Sequence, residues 1–277
     1  METALAGGFR GPRRLLRPVS QGLHSARRHP FDAGTGAFDA LAETLSLRIV
    51  RIVCGRYTLV DPKRIAETMT RDYGFDVHSE TALRQSFNVA PSQLVPIVRA
   101  DESANCSVSL MRWGLIPFWD KSEKPKIAPI NARSEEAFNK PMFRQSLQKR
   151  RAAFVCDGFF EWQASTHGPK TPFHIRLSGN RPFVIAGMYE EAAGRPEPTC
   201  ALLTVAPNEL MAPIHNRMPA ILDPEAAISW LTPGPITAEQ MASLCQPYPA
   251  DRMVTNRVSI LVNNVRNNTP ECVQALD

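Results

Sequence analysis

From residue 54 onward the chain is a succession of short apolar runs, each separated from the next by proline, glycine or polar residues: GRYTLV, QLVPIVRA, SVSLMRWGLI, AAFVCDGFFEW, PFHIRL, PFVIAGMY and CALLTVAP. Runs of this length, rich in β-branched and aromatic residues, read as strands. Helical periodicity is confined to 62–73, 134–150, 224–231 and 238–244. Asp61-Pro62 and Asp223-Pro224 are helix starts, a capping carboxylate followed by a proline whose missing N–H would be unpaired in the first turn anyway. Gly179-Asn180, between two strand candidates, reads as a hairpin turn. Strands outnumber helices and do not alternate with them. The fold class is therefore mixed α+β and not a doubly wound parallel sheet. No linker or internal repeat divides residues 54–277.

The first 53 residues are a different kind of sequence. They hold eight arginines, no lysine and four acidic residues, an excess of +4 out of the whole chain's +5. GGFRGPRRLLRP and HSARRHPFDAGTGAF show neither helical nor strand periodicity, so an Arg-rich disordered extension is expected, with 40–53 able to form a short helix or strand. It lacks the apolar core of a secretory signal, and organellar targeting by it stays open. The remaining body is nearly neutral, so an anionic partner must be held by a local patch and not by a general field. No run of about 18 uncharged apolar residues exists, which excludes a transmembrane helix and a membrane partner of that kind. The six cysteines lie far apart without a CxxC pair, which argues against a zinc ribbon or disulfide scaffold and for a reducing compartment.

Reactive side chains cluster in CGRY (54–57), NVAP (88–91), RWGLIPFWDK (112–121), INARSE (130–135), DGFFEW (157–162) and APNELMAPIHNRMP (206–219). Taken singly, each has an ordinary reading. Cys54 alone is a small buried apolar residue. Asp157-Gly158 is a turn, Glu161 a solvated charge between core aromatics, and His215 a hydrogen-bonded structural histidine. Asn131-Ala132-Arg133 suits a helix N-terminal region, and Trp113 and Trp119 suit packing.

Together and in this order, the six segments resemble the SRAP family (SOS response-associated peptidases, or abasic site processing proteins), from Cys54 to the C-terminal VSILVNNVRNNTPE. The resemblance implies a single domain over 54–277 with antiparallel sheets forming a barrel-like core flanked by helices. It implies a monomeric cytoplasmic, nucleoid-associated enzyme of the DNA damage response, whose partner is single-stranded DNA containing abasic sites. The sequence itself offers no His, Cys and carboxylate cluster of a metal site and no Gly-rich phosphate loop, so no cofactor or metal is expected. In this chemistry a terminal cysteine is essential. Its α-amine, with a pKa of about 7.7–8.0, attacks the ring-opened sugar aldehyde, and the neighbouring thiol then closes a thiazolidine. The resemblance further assigns Asn131 to positioning the amine, Glu161 to shuttling protons and His215 to opening the sugar. It gives Arg56 and Arg133 to phosphates, and Pro91, Trp119 and Trp162 to stacking or wedging unpaired bases.

One feature departs from that pattern. Cys54 is preceded by Val53, and no methionine occurs between Met1 and Met69. An internal cysteine has its nitrogen in an amide and cannot form the imine. Three explanations compete: a GTG initiation codon at position 53, proteolytic removal of the extension (by Cys54, Glu161 and His215 themselves in one version), or retention of the extension without crosslinking. The first is favoured, because the composition break ends where a start codon is wanted. Two other functions are consistent with the residues. One is a cysteine peptidase with Cys54 as thiolate, His215 as base and Glu161 as orienter; the other is a non-catalytic single-strand binder.

Overall fold

This computed structural model describes residues 54–77, 83–191 and 194–276, and among them are thirteen strands and five α-helices. All of these residues belong to one compact unit, Arg51–Asp277. The extension and the element expected at 40–53 lie outside the described residues. In chain order the strands are β1 (Tyr57–Leu59), β2 (Ser86–Val89), β3 (Leu94–Ala100), β4 (Cys106–Trp113), β5 (Asn131–Arg133), β6 (Arg151–Cys156), β7 (Gly158–Gln163), β8 (Thr171–Leu177), β9 (Phe183–Glu190), β10 (Thr199–Val205), β11 (Met218–Pro219), β12 (Ile221–Leu222) and β13 (Met253–Arg257). The helices are α1 (Pro62–Tyr73), α2 (Ser134–Ala137), α3 (Pro141–Lys149), α4 (Pro224–Leu231) and α5 (Ala238–Leu244). None is long and apolar enough to cross a membrane.

The helix signals act as expected where a cap is present. Asp61 accepts from the Arg64 amide at 3.0 Å and Gly74, at φ +68°, ends α1. Asp223 caps α4 through the Ala226 amide, and Thr237 with Gln240 forms a reciprocal capping box on α5. The single helix expected over 134–150 is instead two, α2 and α3. Lys140 precedes Pro141 and is forced into an extended conformation (ψ 121°), so the helix cannot run through it.

The strands form two sheets. One has the order β13-β8-β7-β1-β2. The other closes on itself, because β10 pairs with both β4 and β9 in the cycle β10-β4-β3-β6-β9, which gives the barrel-like core. Pairing is antiparallel throughout except that β10 runs parallel to β4 and β5. Tyr57 of the open sheet packs on Trp113 (5.4 Å between ring centroids) and Phe154 (6.3 Å) of the ring, and this aromatic cluster is where the two sheets meet.

Two crossings between sheets decide where the site lies. The run AAFVCDGFFEW is broken at Asp157, whose carboxylate accepts from the Val60 and Asp61 amides (2.7 and 3.0 Å) and from Thr58 Oγ1 (2.6 Å). These bonds turn the chain out of β6 in the ring and into β7 in the open sheet. The second crossing is at Gly179-Asn180, which is not a hairpin turn. Both residues are left-handed (φ +71° and +54°), but β8 has β7 and β13 as neighbours, so the chain passes on to β9 in the ring. Period-2 alternation along β7 then sends Phe159 and Glu161 to the face packed on the ring, while Phe160 and Trp162 join Val258, Val262 and Cys272 on the other.

Candidate active site

β1 and β7 pair antiparallel, Tyr57 opposite Phe159 and Thr58 opposite Gly158. The Phe160 amide donates to the Arg56 carbonyl at 3.0 Å, so the register continues back toward Cys54. That register brings the Cys54 backbone nitrogen onto Glu161, where it donates to Oε1 at 2.5 Å. Both residues are buried, at 2% and 1% exposure. Cys54 itself adopts a left-handed conformation at φ +47°, uncommon for a residue with a side chain.

Burial dominates the electrostatics. It raises the Glu161 carboxyl to about 7, against the lowering effect of its bonds to Cys54. A carboxyl at that value gives up or takes a proton readily near neutral pH. Burial and the adjacent Glu161 push the Cys54 thiol well above its ordinary range, and Arg217 only partly offsets this. The sulfur is therefore held as a thiol, which disfavours the thiolate that a cysteine peptidase requires.

A second group of residues comes from β5, β10 and the turns after β10. Asn131 lies opposite Leu202 and Arg133 opposite Thr204, so INAR forms a strand and the helix begins at Ser134. Asn131 is adjacent to Ile130, whose carbonyl accepts from Trp113 Nε1 at 2.7 Å; Trp113 in turn packs on Tyr57, three residues from Cys54. His215 sits in the turns between β10 and β11, and its Nδ1 accepts from the Arg217 amide at 3.1 Å. In the neutral ring the proton is then on Nε2, which makes Nε2–H the donor. Gln163 at the end of β7 donates to the Pro213 carbonyl (3.0 Å), tying the His215 turn to the strand that carries Glu161.

Arg217 is the residue that the sequence reading passed over. It is buried at 8% exposure and holds Glu135 through both guanidinium nitrogens, one of these bonds at 2.8 Å, and it also donates to the Thr204 carbonyl at 2.5 Å. It thus joins the His215 turn to β10 and α2 and supplies the positive charge felt at Cys54. Its sequence signal was its place in IHNRMP beside His215, matched by a carboxylate in INARSE.

The expected DNA contacts fall in unlike settings. Arg133 is 58% exposed and, among the described residues, is ion-paired only with Glu136 at 3.0 Å, leaving it accessible to a phosphate. Arg56 is half-buried. It donates to Asn88 Oδ1 and the Val262 carbonyl, each at 2.8 Å, and lies 5.9 Å from the Trp162 ring centre. Asn88 bonds the carbonyls of Val262, Asn264 and Asn267, and Trp162 Nε1 donates to Asn263 Oδ1, so these residues fix the 260–268 loop beside the site. Trp119 is 48% exposed, edge-on to the equally exposed Phe118. Pro91 is half-buried in the turn between β2 and β3.

Residues 53–265 match the family model for SOS response associated peptidase (SRAP). The chain is 39% identical over 227 residues to abasic site processing protein YoqW of Bacillus subtilis (strain 168), covering 80% of this chain and 100% of the relative. It is 31% identical over 232 residues to abasic site processing protein HMCES of Gallus gallus, covering 72% and 68% respectively. A crystal structure of a protein from Bacteroides thetaiotaomicron is similar with a TM-score of 0.69 at 27% identity, over 80% of this chain and 99% of that one. A hydrogen-bonded nitrogen–carboxyl pair at Cys54, a fold of two sheets and a family match spanning both lead to one assignment: the chain belongs to the SOS response associated peptidase (SRAP) family.

Proposed function

We propose that this protein processes abasic sites in single-stranded DNA by forming a thiazolidine between a terminal Cys54 and the ring-opened sugar. The observation that carries this reading is the 2.5 Å bond from the Cys54 nitrogen to Glu161, a carboxyl raised to about 7. His215 Nε2–H hydrogen-bonds the ring oxygen as the closed sugar opens, and the proton of the anomeric hydroxyl ends on that oxygen as its bond to the anomeric carbon breaks, leaving the aldehyde and an unchanged imidazole. The α-amine attacks the aldehyde carbon and its proton passes to Glu161. The carbinolamine loses its hydroxyl as water, taking a proton from Glu161, and an imine remains. The thiol adds to the imine carbon as its proton moves to nitrogen. One water is released overall, and no oxidant, reductant or cofactor enters. Asn131 orients the amine, Arg133 holds phosphate, and Trp119 and Pro91 offer surfaces to unpaired bases. The thiol need not ionise before the imine forms, which suits a sulfur whose pKa is raised by burial.

The reading extends to self-processing. While residues 1–53 are attached, the Val53–Cys54 amide nitrogen occupies the place the amine needs, and the left-handed backbone at Cys54 stores strain that is released when that bond is cut. The protein acts as a monomer in the DNA damage response. The test is incubation of a form beginning at Cys54 with single-stranded DNA carrying one abasic site, followed by denaturing electrophoresis and intact mass. A denaturant-resistant adduct lighter by one water than the sum of its parts supports the reading. Equal yield on DNA without an aldehyde overturns it.

A further inference from the structure

The face of the open sheet turned away from Cys54 and Glu161 carries a cavity of about 440 Å³, within the size range of small-molecule sites. Its polar lining comes from Arg64, Asp157, His174, Arg176, Asn180 and Asn256. The register makes this a built arrangement: His174 of β8 lies opposite both Phe160 of β7 and Asn256 of β13. Gly158 makes it possible, since a Cβ there would lie 2.2 Å from His174 Nε2.

The charges in this cavity are unequally satisfied. Asp157 is saturated by Thr58 and two backbone amides, and Asp61 caps α1. Among the described residues Arg176, by contrast, donates only to neutral amide oxygens, those of Asn180 and of Asn256 (2.5 Å), and its buried Nε has no partner there. Arg64 donates to the Gly179 carbonyl at 2.6 Å. Among the described residues neither guanidinium is ion-paired. Because both asparagines spend their oxygens on Arg176, their NH₂ groups are left as donors. His174 is kept uncharged, at about 3, by burial and by Arg176, so it competes for no anion. Two guanidinia and two amide donors line this one cavity, a set suited to the several oxygens of a phosphate. Val60, Pro182 and Val273 give the rest of the cavity an apolar wall for an organic body.

We propose that this cavity is a second site, which binds a phosphate monoester with its oxygens on Arg64, Arg176, Asn180 and Asn256 and its organic part against Pro182 and Val273. The site stands apart from the chemistry assigned to Cys54, and its test does not depend on crosslinking. Calorimetric titration of the full chain uses three probes: inorganic phosphate, deoxyadenosine 5′-monophosphate and deoxyadenosine. Saturable binding of the first two but not of deoxyadenosine is expected, with tighter binding of the nucleotide if the organic body is recognised and equal binding if phosphate alone is the ligand. Arg176→Gln should weaken binding about tenfold or more, a loss of roughly 1.4 kcal/mol. Arg64→Gln, at an exposed position, should weaken it in the same sense. Cys54→Ala and Arg133→Ala, at residues that do not line the cavity, should leave it unchanged. Absence of saturable binding at millimolar probe, or loss that follows Arg133 and not Arg64 and Arg176, overturns the proposal.

Discussion

The backbone nitrogen of Cys54 and the carboxyl of Glu161, 107 residues apart in sequence, are joined by a 2.5 Å hydrogen bond in a buried setting. The bond follows from sheet register: continuing the β1–β7 pairing past Tyr57 leaves the chain's Cys54 end over the inward-facing position of β7. In the proposed reaction the attacking nitrogen is thereby held against the group that takes its proton. Burial acts on both side chains, lifting the Glu161 carboxyl toward neutrality and holding the Cys54 sulfur as a thiol.

Glu161→Gln keeps the shape and removes proton transfer. Single-turnover crosslinking should slow by about 10²–10⁴. For steps in which the carboxylate accepts a proton, the wild-type rate should rise with pH through the Glu161 titration, below the value of about 7 that it has while the extension is attached, and the variant should lose that inflection. A pH–rate profile on a pre-opened aldehyde decides this. His215→Ala on the same substrate should change little, and should slow reaction mainly where the closed sugar must open.

The same carboxyl affects stability. In the folded protein it holds its proton up to about 7, against an ordinary value of 4.5. The folded state then binds more protons than the unfolded state between those values, so stability is greatest below them and declines as pH rises through this window. The decline should be at most about 3 kcal/mol. Urea titrations of the extended form at several pH values should show it, and Glu161→Gln should flatten it.

The two arginines should separate. Arg133→Ala removes an exposed side chain paired with Glu136, so binding to single strands should weaken and the log–log salt slope should fall by about 0.7 with stability intact. Arg56→Ala strips donors from Asn88 and from the Val262 carbonyl, and should cost about 1–3 kcal/mol in stability besides any effect on DNA. Salt-dependent binding alongside chemical denaturation distinguishes them.

Gly158→Ala places a methyl 2.2 Å from His174 Nε2 and 2.9 Å from Thr58 Oγ1. A destabilisation of about 1–3 kcal/mol is expected. It should shrink in a His174→Ala background, because the nearer of the two obstacles is gone. A double-mutant cycle by denaturant unfolding measures that coupling.

Local signals in the sequence were reliable wherever a side chain acts on its own backbone. Asp61-Pro62 and Asp223-Pro224 start helices at those residues because cap and proline work without tertiary help. The short strands β2, β5, β11, β12 and β13 escaped notice, since two to five residues carry little periodicity and are held by partners distant in sequence. Gly179-Asn180 has the backbone of a hairpin turn but not the pairing, because β8 already has neighbours on both edges. The site residues were legible only as an ordered set of motifs. The Cys54–Glu161 bond, the engagement of Arg56 by Asn88 and the role of Arg217 depend on which strands become neighbours, and composition does not encode that.

The state of the N-terminus decides whether this geometry is used. With residues 1–53 attached, the Cys54 nitrogen is an amide whose lone pair is delocalised, so it can donate to Glu161 but cannot attack an aldehyde. The full chain should therefore bind single-stranded DNA, helped by its eight N-terminal arginines, and yet form no thiazolidine. A form beginning at Cys54 should crosslink, and freeing the amine should also lower the Glu161 pKa, since an ammonium beside a carboxylate favours its ionised form. Intact mass of the 1–277 form, of its Cys54→Ala variant and of a Met–Cys54 form, each before and after exposure to abasic DNA, separates the cases. Spontaneous shortening to Cys54 that is lost in Cys54→Ala would establish self-processing, driven in part by relief of the left-handed backbone at that residue. A crosslink that survives denaturation while residues 1–53 remain attached would rule out the terminal amine as nucleophile, because no other nitrogen of Cys54 is available to form the imine.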